Sequence, residues 1–188
     1  MKIQRFEEFI NEQNGFLPSP TGNPSRLSKK LYYYVRSEEF IEWFGDWIND
    51  SQNSSKVVGD NGEPLLVYHG SYKDDINNFK PSYGSRESEN KTIYFTNSKK
   101  NAKTYGKKLY SCFLNIRNMY DINAYGECYN DPHGERGYDI VMKAESVDTE
   151  EYDGSVVYNI IDVKEPTDKG ESADDYIVFD SRQVKIMK

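Results

Sequence analysis

The stretch KVVGDNGEPLLVYHGS at residues 56–71 marks the point where the chain changes from helical to β patterning. Val57 and Val58 predict a short strand, residues 60–62 (Asp-Asn-Gly) predict a tight turn, and residues 65–69 predict a second, buried strand. Further strands are predicted at residues 92–96, 109–116, 155–162 and 175–180. Because these strands do not alternate regularly with helices, the sequence predicts an α+β domain with few helices rather than a doubly wound parallel sheet.

Helices are predicted on both sides of this stretch. Residues 27–36 and 37–50 favour helices, the second with Ser37 as N-cap and a buried aromatic stripe. Downstream, a helix capped by Ser98 runs to about Tyr105, and residues 138–147 favour another. Residues 71–90 and 120–137 are polar and are predicted to be loops.

The N-terminus is predicted to be separate from this domain. Ile3, Phe6 and Ile10 give residues 1–12 an amphipathic helical pattern. Residues 13–27 contain three prolines and two glycines and predict a linker. The folded domain is therefore expected to span residues 28–188.

Composition narrows the functional classes. The 188 residues carry 24 basic and 31 acidic side chains, a net charge of −7, which argues against a sequence-blind nucleic-acid binder. Sixteen tyrosines argue for a folded, aromatic core, because disordered chains are poor in aromatic residues. No apolar run is long enough to span a membrane, and the N-terminus does not resemble a secretory signal. Cys112 and Cys128 lie outside any CxxC pair, so no metal site is expected; either two reduced thiols or one disulfide is possible.

Three segments place a polar or aromatic residue at the end of an apolar strand. In the first, residues 65–71, His69 and Gly70 follow buried positions. A glycine allows a ligand to approach the backbone amide groups closely, and an imidazole can bond a hydroxyl. The alternative is a structural histidine at a strand end, before a turn glycine.

The second segment is TIYFTNSKKNAKTY at residues 92–105. It places Tyr94 in a strand and Tyr105 in the last turn of the following helix. Two tyrosine rings so placed could hold a flat ring between them, whereas the alternative is that both belong to the core.

The third segment is ADDYIVFDSRQVK at residues 173–185, with Asp175 before the apolar strand and Asp180 after it. Asp175 could accept a hydrogen bond from a sugar hydroxyl and stabilise nearby positive charge. A solvated loop carboxylate is the alternative.

In this order and spacing, the three segments resemble the H-Y-E side of the ADP-ribosyltransferase superfamily, which includes poly(ADP-ribose) polymerases and diphtheria toxin. His69-Gly70-Ser71 is similar to the His-Gly-Ser motif of that group. The residues around Tyr94 and Tyr105 are similar to its second motif, and those from Asp175 to its last catalytic strand. The resemblance covers residues 37–188 and is closest to phage-encoded members, which share the WFGDW helix.

This resemblance implies a fold and a reaction. NAD would lie across a cleft in a split β-sheet, with the Gly70 backbone on the nicotinamide carboxamide and His69 on a ribose hydroxyl. Ser71 belongs to the same cofactor-binding set. Tyr94 and Tyr105 would flank the nicotinamide ring. The late carboxylate would support the loss of nicotinamide, after which a protein or nucleic-acid acceptor attacks the ribose.

Two positions depart from the family pattern. Asp175 stands where the family usually has Glu, which shortens the reach by about 1.5 Å. Gln183 is an alternative source of that late contact. Ala102 stands where a serine often binds the carboxamide. Mono-ADP-ribosyl transfer, NAD hydrolysis and an inactive NAD-binding or structural protein therefore all stay open.

Lys99, Lys103 and Lys107 share one helical stripe. They could face the phosphates of NAD or an acidic acceptor, or they could form a solvated face. On a chain of net charge −7, this helix is the most evident source of phosphate donors.

FEEFINE at residues 6–12 resembles the head-targeting propeptides of internal proteins in large tailed phages, which a prohead protease removes after an Ile/Leu-x-Glu triplet. Ile10-Asn11-Glu12 fits that triplet. The resemblance implies a location in the virion interior and then in the host cytoplasm. An ordinary helix docked on the domain is the alternative.

Overall fold

The computed structural model describes residues 16–83, 89–131 and 136–187. The predicted N-terminal helix at residues 1–12 lies outside them. By compactness the chain divides after Leu65 into two units. The predicted domain boundary at residue 28 stays a prediction.

From residue 16 onward, where the structure describes it, the first unit carries two short helices that follow serine N-caps, α1 (Lys29–Tyr34) and α2 (Glu38–Phe44). Its core is aromatic, as the composition predicted, with Tyr32, Phe40 and Phe44 fully buried and Trp47 at 1% exposure. The prediction that the second helix runs to residue 50 is wrong. It ends at Gly45, whose φ of 100° is a conformation that favours glycine.

The second unit contains the sheet. Among its described residues, the eight strands are β1 (Val67–Ser71), β2 (Ser82–Tyr83), β3 (Lys91–Thr96), β4 (Lys108–Leu114), β5 (Met119–Asn123), β6 (Gly154–Ile160), β7 (Ala173–Val178) and β8 (Val184–Ile186). Its helices are α3 (Lys99–Thr104), α4 (Arg136–Glu145) and a 3-10 turn (Ser181–Gln183). Seven strands run in the order β5-β6-β7-β3-β1-β4-β8, and β2 pairs with β3. All pairs are antiparallel except β5 with β6.

The predicted α+β class with few helices is confirmed. Three strand predictions are wrong, one of them at residues 82–83, which were assigned to a loop and form β2. Val57 and Val58 form no strand; Val58 makes an isolated bridge to Pro64. Residues 119–123 form β5, although the sequence assigned part of them to a loop. The prediction failed because their parallel partner β6 is distant in sequence, and local patterning gives no sign of the pairing.

One face of the sheet is covered by α4. Ile140, Val141 and Ala144 of this helix pack against Val157 of β6 and Ile177 of β7. Because opposite residues of an antiparallel pair point to the same side, Tyr94, Thr96 and Asp175 share this face with Ile177. Tyr94, Thr96 and Asp175 therefore lie beside a packed apolar core.

Among the described residues, no helix is both long and apolar enough to cross a membrane. In the same residues, no group of three or more His, Cys, Asp or Glu side chains is arranged to hold a metal ion.

Candidate active site

A cleft of about 780 Å³ opens where β1 leaves β3. β1 pairs with β4 along its whole length, from Val67 to Ser71. Within the described residues, its pairing with β3 is confined to Tyr68 opposite Thr96. The strands separate beyond this point, and residues 69–71 line the cleft.

His69 spans the gap between the two strands. Its Nδ1 lies 2.7 Å from the backbone oxygen of Tyr94. A carbonyl can only accept, so Nδ1 carries the proton and Nε2 keeps its lone pair. Burial lowers the pKa of His69 to about 4, and the ring is therefore neutral at neutral pH.

Gly70 has a packing role that the sequence did not reveal. A Cβ at this position would lie 1.7 Å from the backbone oxygen of Ala102 and 3.3 Å from Cβ of Tyr105. The missing side chain lets the end of α3 approach β1 closely. Ala102 lines the cleft as well, so no hydroxyl is present where the family often has serine.

Tyr94 and Tyr105 both line the cleft, on a strand and at a helix end as predicted. The Tyr94 hydroxyl donates to Oε1 of Glu145, the last residue of α4. The Tyr105 hydroxyl donates to Oδ1 of Asp162, which follows β6. Each ring is thus fixed by its own acidic partner.

Asp175 lies on β7 directly opposite Thr96, with its side chain in the cleft lining and only 4% of the residue exposed. Asp162 is within hydrogen-bonding reach of it. Its Oδ1 is buried and has no hydrogen-bond partner among the described residues. Burial, with a further contribution from Asp162, raises the pKa of Asp175 well above its usual value.

The alternative late contact is not at the cleft. Gln183 Oε1 accepts from the backbone N–H groups of Phe179 and Asp180, and its Nε2 donates to two backbone carbonyls. Asp180 caps the 3-10 turn and pairs with Arg182. Both residues hold the chain end in place, and neither is among those that line the cleft.

Sequence reasoning missed Glu145 and Asp162. Asp162 ends the apolar run 155–162, the same strand-end pattern that singled out His69 and Asp175. Glu145 lies four residues after Val141, on the apolar stripe of its helix, and is 2% exposed. An acid on a buried stripe is a signal that could have identified it.

The cations of the cleft also differ from the expected ones. Lys99, Lys103 and Lys107 are exposed and do not line it, so the structure favours the solvated-face alternative. Three other lysines line the cleft: Lys73, Lys80 and Lys164.

The cleft thus gathers the residues on which the resemblance to ADP-ribosyltransferases rests: a His-Gly pair, two tyrosines and a carboxylate. Residues 59–188 match the family model described as ADP-ribosyltransferase in polyvalent proteins. The match covers more than half of the chain, which therefore belongs to this family. Such enzymes use NAD and an acceptor as substrates. A comparison with curated proteins found no match.

Proposed function

We propose that this chain is a mono-ADP-ribosyltransferase of a tailed phage, which transfers ADP-ribose from NAD to a host protein or nucleic acid and releases nicotinamide. The observation that carries the proposal is the convergence of His69, Tyr94, Tyr105 and Asp175. They come from β1, β3, the end of α3 and β7, and they line one cleft inside the region that matches the family.

The cleft fits a dinucleotide in size and chemistry. Its volume of about 780 Å³ is within the usual range for small-molecule sites, roughly 300–1,000 Å³. Lys73, Lys80 and Lys164 are candidate donors to a pyrophosphate. Tyr94 and Tyr105 are candidates for contact with a flat ring.

His69 and Gly70 are proposed to fix the nicotinamide riboside end. With Nδ1 donating to Tyr94, Nε2 of His69 can accept a bond from a ribose hydroxyl. Beyond Tyr68, the β1 edge next to β3 is without pairing among the described residues, and the Gly70 backbone lies in that stretch. An amide group can add to such an edge as a strand would.

The two tyrosines are proposed to flank the nicotinamide ring. Their hydroxyls are occupied by Glu145 and Asp162, so their rings present apolar faces at fixed orientations. Fixed rings lose little conformational entropy when a flat group binds between them.

Asp175 is proposed to be the late carboxylate. When bound, NAD supplies a glycosidic bond to a positively charged leaving group, and breaking this bond builds positive charge on the ribose. The unpartnered Oδ1 of Asp175 can accept a bond from a ribose hydroxyl and stabilise that charge. Because Asp is one methylene shorter than Glu, the ribose must approach β7 more closely than in relatives with Glu.

Incubation of the purified chain with NAD labelled in the adenylate and with a host lysate tests the proposal. The expected result is a labelled macromolecule and free nicotinamide. Free ADP-ribose as the sole product would identify an NAD hydrolase. Calorimetric binding without turnover would identify an inactive NAD-binding module, and absence of binding would leave a structural role.

Matched variants test the assigned residues. Asp175→Ala and Tyr94→Ala are expected to abolish labelling while the circular dichroism spectrum is retained. Asp121→Asn and Tyr158→Phe, which lie outside the cleft lining, are expected to label normally. Equal loss in all four variants would contradict the assignment.

Packaging in the virion is proposed from residues 1–12 and from the phage-type resemblance of the chain. Cleavage by a prohead protease after Glu12 would give a mature N-terminus at Gln13. Mass spectrometry of virions is expected to find that terminus. Detection of intact chains beginning at Met1, and of no shorter form, would contradict the proposal.

A further inference from the structure

Asp162 places a second carboxyl group beside the proposed late carboxylate. It lines the cleft and lies within hydrogen-bonding reach of Asp175. Its Oδ1 also accepts the hydroxyl of Tyr105. A single side chain thus connects a ring of the proposed clamp with the acid at the proposed reaction centre.

An irregularity in β6 precedes Asp162. The register of β6 with β7 shifts between Val157 and Ile160, and Asn159 there has a φ of 56°. The backbone N–H of Asn159 donates to Oδ1 of Asp174. A bulge re-aims the residues that follow it, and bulges are common beside active sites.

Two carboxyl groups within hydrogen-bonding reach of each other can share a proton. A carboxylate can only accept, so a bond between two carboxyls requires a proton on one of them. Both groups are at least partly buried, and two adjacent negative charges in such a site repel strongly. The Tyr105 hydroxyl favours negative charge on Asp162, which leaves the shared proton on Asp175 when no substrate is bound.

We propose that Asp162 is the positioning residue for Asp175 in the proposed reaction, holding its carboxyl group through one shared proton. The inference rests on the proposed function for its catalytic part. As positive charge builds on the ribose, the O–H bond of Asp175 breaks and an O–H bond forms on Asp162. The electron pair, and with it the negative charge, stays on Asp175 where it is needed.

Other ionisable groups face this pair. They are Tyr105 at the end of α3, Tyr129 before α4, Asp174 on β7, and His69, Glu145 and Lys164 in the cleft lining. Burial raises the pKa of Tyr105, and the pKa of His69 is near 4. Neither group titrates between about pH 5 and 9, the range in which the pair is to be observed.

The pH profile of nicotinamide release tests the catalytic part. The wild-type chain is expected to lose activity at low pH, when both acids are protonated, and at high pH, when both are ionised. Asp162→Asn keeps a similar shape but cannot take the proton. It is expected to reduce kcat about 10²-fold and to lose the alkaline limb, whereas Asp162→Glu restores that limb. A full bell-shaped profile in Asp162→Asn would overturn the proposal.

The pH dependence of melting tests the pair without any activity. The shared proton has a folded pKa above its unfolded value, so its stabilisation is lost as pH rises through the folded pKa. Asp162→Asn removes the share of that loss that Asp162 contributes, while the burial of Asp175 keeps the rest. Its melting temperature relative to wild type is expected to rise by about 3 °C or more between pH 5 and 8, while Asp121→Asn follows the wild type.

The activity profile and the melting profile together distinguish a failure of the proposed function from a failure of the proposed proton sharing. If the wild-type chain releases no nicotinamide but the melting difference depends on pH, the proposed function fails and the proton-sharing pair stands. If the melting difference is flat over this pH range, Asp162 and Asp175 do not share a proton, and the inference fails whatever the activity.

Discussion

Gly70→Ala tests whether the close approach of α3 to β1 builds the cleft. An added Cβ would lie 1.7 Å from the backbone oxygen of Ala102, whereas real Cβ contacts are not shorter than 3.0 Å. The end of α3 must therefore move by about 1.3 Å. Overpacking of this kind costs about 1–3 kcal/mol, which corresponds to a fall in melting temperature of about 2–12 °C for a chain of this size.

The same displacement moves Tyr105, because its Cβ is the nearest side-chain atom to the added Cβ, at 3.3 Å. A shift of about 1 Å at a reacting site costs about 10²-fold in rate. The Gly70→Ala variant is therefore expected to lose both thermal stability and nicotinamide release, measured by calorimetry and by a fluorescent NAD analogue.

The control is Gly59→Ala, where the added Cβ would meet its nearest atom at an ordinary 3.4 Å. It is expected to melt and react as the wild type does. If Gly70→Ala keeps the wild-type melting temperature but loses activity, the packing argument is refuted, and the glycine serves ligand approach alone. If it keeps both, neither role holds.

The remaining predictions concern a histidine, a tyrosine and a buried ion pair. The pKa of His69 is about 4 in the folded chain and about 6.5 in the unfolded chain. Acidification from pH 6.5 to 4 therefore removes on the order of 2–3 kcal/mol from the free energy of unfolding. Urea titrations at both pH values are expected to show that His69→Asn lacks this loss. Tyr105→Phe keeps the ring but removes the donor to Asp162, and is expected to cost about 1–3 kcal/mol in stability while changing KM for NAD less than Tyr105→Ala does. Arg36 and Glu63 pair at 3.6 Å with side chains only 3% exposed, so Arg36→Met is expected to cost about 3–5 kcal/mol in denaturant titrations.

Each of these has a contrary outcome. An unchanged acid sensitivity in His69→Asn would show that the neutral imidazole is not the source of the pH dependence. Equal KM values for Tyr105→Phe and Tyr105→Ala would mean that the ring does not contact NAD. Disappearance of the stability difference between Arg36→Met and the wild type at high salt would place the ion pair at the surface.

Much of the candidate site could be predicted from the sequence, because several of its residues are polar or aromatic side chains directly beside an apolar run. The sequence predicted His69 at the end and Asp175 before the start of an apolar strand; the structure corrects this, because β1 continues to Ser71 and β7 begins at Ala173, but both residues still adjoin the apolar runs. Tyr105 caps a helix that begins at a serine N-cap. The same pattern at residues 155–162 would have found Asp162. β5 and the end of α2 were misassigned, because a distant parallel partner and a left-handed glycine outweighed the local pattern.

The sequence by itself determined the class of fold and the residues that carry the proposed chemistry, since strand alternation, N-caps and motif spacing are local properties. The tertiary structure decided which side chains contact these residues and whether their ionisable groups are charged. Each deciding feature involves residues more than ten positions apart in the sequence. These features are the separation of β1 from β3, the hydrogen bond of Tyr94 to Glu145 and the proximity of Asp162 to Asp175. The electrostatics of the cleft depend on burial and on those contacts, which exist once the sheet has formed.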